Sequence, residues 1–241
     1  MAPSLTYVQV HAIYVLPALA ALTATVRYRR DRVDWRAIGA GLAPVTALAV
    51  GYTLPWDRLL IATGVWTYGA GAVAGRLWGV PYEEIAFFVL QPALTTLWAA
   101  HVVGPVVEGV ALSRRDRLAG AAAGATVGLV GLALLARPST VYLGAVLAWA
   151  GPVLALQWAI GWRYLWRVRG RVAAAALAPS AYLWTVDRLA IGAGVWTLSG
   201  TYTTGLAVAG LPVEEMLFFL ATNLFVVQGV VLFRWVVRRW R

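Results

Sequence analysis

The sequence predicts an all-α integral membrane protein of seven transmembrane helices, arranged as two parallel three-helix repeats joined by a linker helix. Three observations carry this expectation. Hydrophobic residues make up 61% of the 241 residues and charged residues only 12%, where a soluble domain would carry about a quarter. Apolar runs of about 20 residues, long enough to span the hydrocarbon core, recur roughly at 5–26, 37–55, 80–102, 118–136, 140–162, 172–192 and 207–232. Residues 56–67, WDRLLIATGVWT, return at 186–197 as VDRLAIGAGVWT, identical at eight of twelve positions.

Each run has its own grounds. The first, from Leu5 to Val26, is long enough to span and is followed by arginines, so no cleavable signal peptide is expected. All twenty basic residues are arginine. Sixteen lie in the segments 27–36, 113–117, 163–171 and 234–241, against four (Arg58, Arg76, Arg137 and Arg188) in the alternate connections. That bias predicts an outside N-terminus and an inside C-terminus. The second and sixth runs end in the repeated Asp-Arg-Leu blocks, and the third and seventh open with acidic-aromatic blocks. The fourth run holds Gly120, Gly124, Gly128 and Gly131, a small-residue stripe suited to close helix approach. The fifth opens the second copy. Three helices per copy with one helix between them leaves the copies parallel. The expected units are residues 1–103, a linker span 104–138, and residues 139–241.

Composition also excludes function classes. There is no cysteine, and the two histidines, His11 and His101, lie far apart. No metal site is expected, and each histidine reads as a packing or interfacial residue. There is no lysine, so a retinal Schiff base is ruled out. The net charge of +10 follows the loops, which argues against nucleic acid as a partner. No G-x-G-x-x-G links a strand to a helix, and no soluble domain could hold a flavin.

Six of the ten acidic residues fall in the repeated blocks: Asp57, Glu83, Glu84, Asp187, Glu214 and Glu215. Ionisable groups at membrane depth are costly and are usually functional. Pro81, Glu83, Glu84, Phe87 and Phe88 are echoed by Pro212, Glu214, Glu215, Phe218 and Phe219. Proline followed by acids is also an ordinary helix beginning, but here it occurs twice, each time followed by Phe-Phe. Helical spacing sets Glu84 beside Phe88, Gln91 and Thr95, and Glu83 beside Phe87. In the second copy Glu215 shares a stripe with Phe219 and Thr222. A carboxyl group among aromatic faces in a water-poor setting can hold a proton at neutral pH, and the ring faces stabilise a nearby cation. This is what acid-initiated carbocation chemistry on a hydrocarbon needs. Asp57 with Arg58, and Asp187 with Arg188, are candidates to orient the glutamates; the arginines could equally snorkel and the aspartates cap. Trp66 and Trp196 are candidates to line the cavity, or belong to the interfacial aromatic belt.

At these residues the chain resembles the lycopene cyclases of the bacterial heterodimeric and archaeal fused type. The resemblance covers nearly the whole chain and implies a redox-neutral cyclisation of the ψ end groups of lycopene to β rings, giving γ-carotene and then β-carotene. It implies no cofactor, a multi-pass position in the cell membrane, and lycopene drawn from the bilayer. Membrane lipids, and other enzymes of the carotenoid pathway, are the implied partners. Glu83, Glu84, Glu214 and Glu215 are then the candidate acids and bases, with Phe87, Phe88, Phe218 and Phe219 as cation stabilisers. Alternatives are a cyclase of C50 carotenoids or of ε or γ rings, and a proton-coupled transporter. A prenyltransferase would need clustered aspartates, which are absent.

Overall fold

The structure is a computed structural model that describes residues 3–28 and 35–239, with side chains described outside positions 27, 35–45 and 48. Most of the arginine cluster at 27–36, and Arg241, therefore lie outside the described residues. The chain is dominated by helices. The first rod comprises α1 (Tyr7–Val10), a π-turn (His11–Val15) and α2 (Leu16–Tyr28). It is followed by α3 (Trp35–Thr63), α4 (Tyr82–Val102), α5 (Arg114–Leu134), α6 (Val141–Arg167), α7 (Arg169–Gly192) and α8 (Val213–Arg239). Five segments among the described residues are long and apolar enough to cross a membrane: Tyr7–Val26, Tyr82–Val102, Arg114–Leu134, Pro138–Arg167 and Val213–Arg239.

The helix starts follow local chemistry. Thr6 and Gln9 form a capping box on α1, and Ser113 and Asp116 form another on α5. Proline caps α4 at Pro81, and the first turn holds Glu83 and Glu84, where the helix dipole favours carboxylates. α5 packs chiefly on α6. Gly120, Gly124 and Gly131 meet the backbone of residues 144–158 so closely that no Cβ would fit. Deeper in the bundle, α4, α7 and α8 are joined by a buried polar cluster. The Asn223 amide donates to Ser180 Oγ at 3.0 Å, and its carbonyl accepts from Gln91 and Thr95. These bonds keep the Asn223 amide from being an unpaired polar group in an apolar interior.

The body is helical as expected, but the loops add a feature that the hydrophobic pattern could not reveal. Six short strands occupy the connections between α3 and α4 and between α7 and α8. Strands β2 (Arg76–Leu77) and β3 (Val80–Pro81) form one hairpin, and β5 (Ala207–Val208) and β6 (Leu211–Pro212) form its counterpart. Their tips, Trp78-Gly79 and Ala209-Gly210, all have positive φ, the conformation that a two-residue hairpin turn requires. For Trp78 and Ala209 this is uncommon backbone, and each carbonyl is clamped by an arginine. Arg58 Nε donates to Trp78 O at 3.0 Å while its guanidinium lies 4.4 Å from the Trp78 ring centre. Arg188 Nε donates to Ala209 O at 2.9 Å. Strands β1 (Trp66–Tyr68) and β4 (Trp196–Leu198) pair antiparallel, centred on the equivalent threonines Thr67 and Thr197 of the two sequence copies. The helices that begin or end at these loops deliver the motif residues to one end of the bundle.

Candidate active site

The loops and helix starts enclose a chamber of about 60 Å³. Four carboxyl groups line it: Asp57 from α3, Glu84 from α4, Asp187 from α7 and Glu215 from α8. Two acids thus come from each sequence copy. Around them stand Trp56, Trp66, Phe87, Trp196, Phe218 and Phe219, with Tyr7, Tyr68 and Tyr142 supplying hydroxyls. The aromatic wall is continuous. Trp56 stacks on Phe218 at 5.6 Å between ring centres, and Phe87 meets Phe219 edge to face at 6.0 Å.

Three of the four carboxyl groups, those of Glu84, Glu215 and Asp187, are held by donors. Tyr68 donates to Glu84 Oε2 at 3.0 Å, and Trp66 Nε1 donates in turn to the Tyr68 hydroxyl at 3.0 Å. Tyr7 also reaches Glu84. Tyr142 donates to Glu215 Oε1 at 2.9 Å, and Trp196 Nε1 donates to Asp187 Oδ1 at 3.1 Å. Burial above all pushes the Tyr68 phenol well above its ordinary value, so this loop residue remains a donor. No arginine among the described residues lines the chamber. Four carboxylates enclosed together without a cation would repel strongly, and charge balance in an apolar enclosure favours neutral acids.

The paired glutamates divide between two tasks. Glu83 and Glu214 do not line the chamber. Glu83 Oε1 accepts from Ala74 N at 2.7 Å, and Glu214 Oε1 accepts from both Thr204 N and Thr204 Oγ1 at 2.7 Å. They staple the loop to the first turn of the following helix. Phe88 also departs from the expected stripe: one residue beyond Phe87, it turns away from the chamber and lines a second cavity. Arg58 and Arg188 touch the hairpin tips rather than the acids. Trp66, Trp196, Phe87, Phe218 and Phe219 all reach the chamber.

The second cavity is a groove of about 330 Å³ between α3, α4, α6 and α8, and its wall is mostly apolar, with Phe88, Trp149, Leu156 and Phe225 among its lining residues. Phe87 and Phe218 line both spaces. The groove reaches the volume range of small-molecule sites, and the chamber alone falls well below it.

Sequence reasoning missed several residues here. Tyr68 lies two positions beyond Trp66, but its counterpart is Leu198, so comparing the copies discounts it. Tyr7 and Tyr142 sit in the first turns of the first helix of each half, at a wider separation than the acidic motifs. His11, expected to be a packing or interfacial residue, also lines the chamber. Among the described residues no group of three or more His, Cys, Asp or Glu side chains is placed to hold a metal ion.

Comparison with known proteins adds a separate line of support. A family model described as "Lycopene cyclase" matches residues 5–102 and 139–233. The chain is 50% identical to the lycopene beta-cyclase of Halobacterium salinarum over 236 residues, covering 98% of this chain and 99% of that protein. It is 36% identical over 241 residues to the bifunctional lycopene cyclase/phytoene synthase of Podospora anserina, covering 94% of this chain and 40% of the relative. The corresponding protein of Aspergillus oryzae is 32% identical over 237 residues. No solved structure matches the chain.

Proposed function

The chain belongs to the lycopene cyclase family, and we propose that it is an enzyme of carotenoid biosynthesis that converts the ψ end groups of lycopene to β rings by acid catalysis. The observation that carries the chemical part of this reading is the chamber in which Glu84 and Glu215 share one aromatic enclosure with Asp57 and Asp187.

The reaction is an isomerisation. A protonated carboxyl donates to C2 of the terminal double bond, leaving a tertiary cation at C1. The C5–C6 double bond attacks C1, which closes the ring and moves the cation to C5. Loss of the C6 proton forms the β-ring double bond. Glu84 and Glu215, each held by tyrosine, are the primary acid and base candidates. Glu83 and Glu214 support them by fixing the loops. Phe87, Phe218 and Phe219, with Trp66 and Trp196, stabilise the cation and exclude water. The polyene lies in the apolar groove, and Phe87 and Phe218 swing aside to admit the end group.

The same reading includes the finer topology: seven spans in the cell membrane, N-terminus outside and C-terminus inside, with residues 1–103 and 139–241 as parallel repeats about the helix of residues 104–138. It takes lycopene from the bilayer, needs no cofactor, and makes membrane lipids and other carotenoid-pathway enzymes the partners. The test is expression in lycopene-accumulating cells with chromatography of the pigments. β-Carotene with a γ-carotene intermediate is expected, and Glu84→Gln and Glu215→Gln are expected to leave lycopene uncyclised. ε or γ rings would reassign the base, and wild-type turnover by either variant would remove that residue from the proposed acid-base pair.

A further inference from the structure

The chamber is nearly symmetric, yet the reaction is not. Tyrosine, aspartate, tryptophan, glutamate and phenylalanine each line it from both halves of the chain. His11 is the only imidazole in it, and an acid and a base must differ. His11 opens the π-turn, where the Leu16 backbone N–H reaches back to the His11 carbonyl, just ahead of Pro17, which has no N–H to give. Such widened turns are frequent at functional sites.

The surroundings of the ring are specific. It is 7% exposed, stacks on Phe87 at 6.0 Å and meets the edge of Tyr7 at 4.9 Å. Its Nε2 is buried without a hydrogen-bond partner among the described residues, and so is Glu83 Oε2. Glu83 lies one turn before Phe87, the ring on which His11 stacks. In the other half Glu214 also leaves Oε2 unpartnered, but no histidine lines the chamber from that side. A buried nitrogen without a partner, on a residue that lines a chamber of acids, is poorly explained as packing, because burying such a group costs free energy.

We propose that His11, rather than the second of the two chamber glutamates, is the base of the cyclisation, which leaves Glu84 and Glu215 as the candidate acids: its Nε2 takes the proton released from C6 and returns it to the carboxyl that opened the reaction. This rests on the cyclase reading above. The carboxyl O–H bond breaks as the C2–H bond forms. The C6–H bond then breaks, its electron pair becomes the C5–C6 double bond, and the proton moves to the imidazole. Glu83, whose Oε2 is buried and without a partner among the described residues, is the carboxylate that would balance the imidazolium charge. Transfer from the imidazolium to the carboxylate restores both groups, with no oxidant or reductant.

The test compares wild type, His11→Phe and His11→Gln as purified full-length protein in lipid vesicles. The substrates are lycopene and lycopene deuterated at C6 and C6′. His11→Phe keeps a ring against Phe87, and His11→Gln keeps a polar group without a useful base. Both are expected to lose roughly 100-fold in rate, to show a primary deuterium effect, and to release some product with the double bond placed elsewhere in the ring. Packing defects alone would not create the isotope effect or redirect the proton. Should His11→Phe fail to fold, His11→Gln decides with the same readouts. Wild-type rate, β rings only and an unchanged isotope effect in the folded variants would overturn the proposal. An inactive wild-type protein would instead overturn the cyclase reading on which it rests.

Discussion

Adjacent glutamates with different contacts give a sharp prediction for the second acidic block. Glu214→Gln keeps one oxygen for Thr204 but puts an amide NH2 at Oε2, a buried position with no partner. An unsatisfied buried donor costs about 1–3 kcal/mol, which for a chain of this length lowers Tm by roughly 2–4 °C per kcal/mol. The chamber retains all four of its carboxyl groups, so the rate should stay within a few fold of wild type. Glu215→Gln does the reverse. The amide oxygen can still accept from Tyr142, so the fold should survive, but the proton is gone. General acid-base catalysis is worth about 10²–10⁴ in rate, or about 2.7–5.4 kcal/mol at 1.36 kcal/mol per tenfold. The assay pairs thermal melts in detergent with pigment chromatography in a timed reaction. Equal rate losses in the two variants, at equal Tm, would refute the division between a staple and a catalyst.

Two further expectations follow from the same geometry. Tyr142→Phe removes the phenol from Glu215, an interaction worth about 1.5–3 kcal/mol if the carboxyl is ionised at the barrier, so turnover should fall about 10- to 100-fold with Tm nearly unchanged. Gly124→Val drives a side chain into the backbone of Ala155 and should lower the melting temperature in detergent, whereas Gly170→Ala, at an open position, should leave it unchanged or slightly raised.

The sequence shows the chemistry of this site better than its geometry. Six acids in a chain this apolar stand out, and a duplicated block fixes their partners in the other half. Helical periodicity, however, could not separate Glu83 from Glu84. Both lie in a first turn, and which one faces inward depends on the hairpin that leads into α4. That hairpin rests on a left-handed Trp78-Gly79 turn and an arginine clamp from α3, a tertiary contact without a local signature. The same cause misplaced Phe88 and hid the role of Arg58. Tyr68 escaped for another reason: its counterpart is Leu198, so it carries none of the signal that the duplication provides.

The pairing of β1 with β4 explains why both halves serve one chamber. Thr67 lies opposite Thr197, as a two-fold relation between the copies would require, and the indoles of Trp66 and Trp196 flank that point. Neither half alone could enclose the acids: Tyr142 and Phe218 of the second half complete the wall around Trp56 and Trp66 of the first. A lycopene molecule has two ends, and one enclosure receives one of them at a time. If the polyene lies in the groove as proposed, it must leave and return reversed between ring closures, and a timed reaction is expected to release monocyclic γ-carotene as a free intermediate that competes with lycopene.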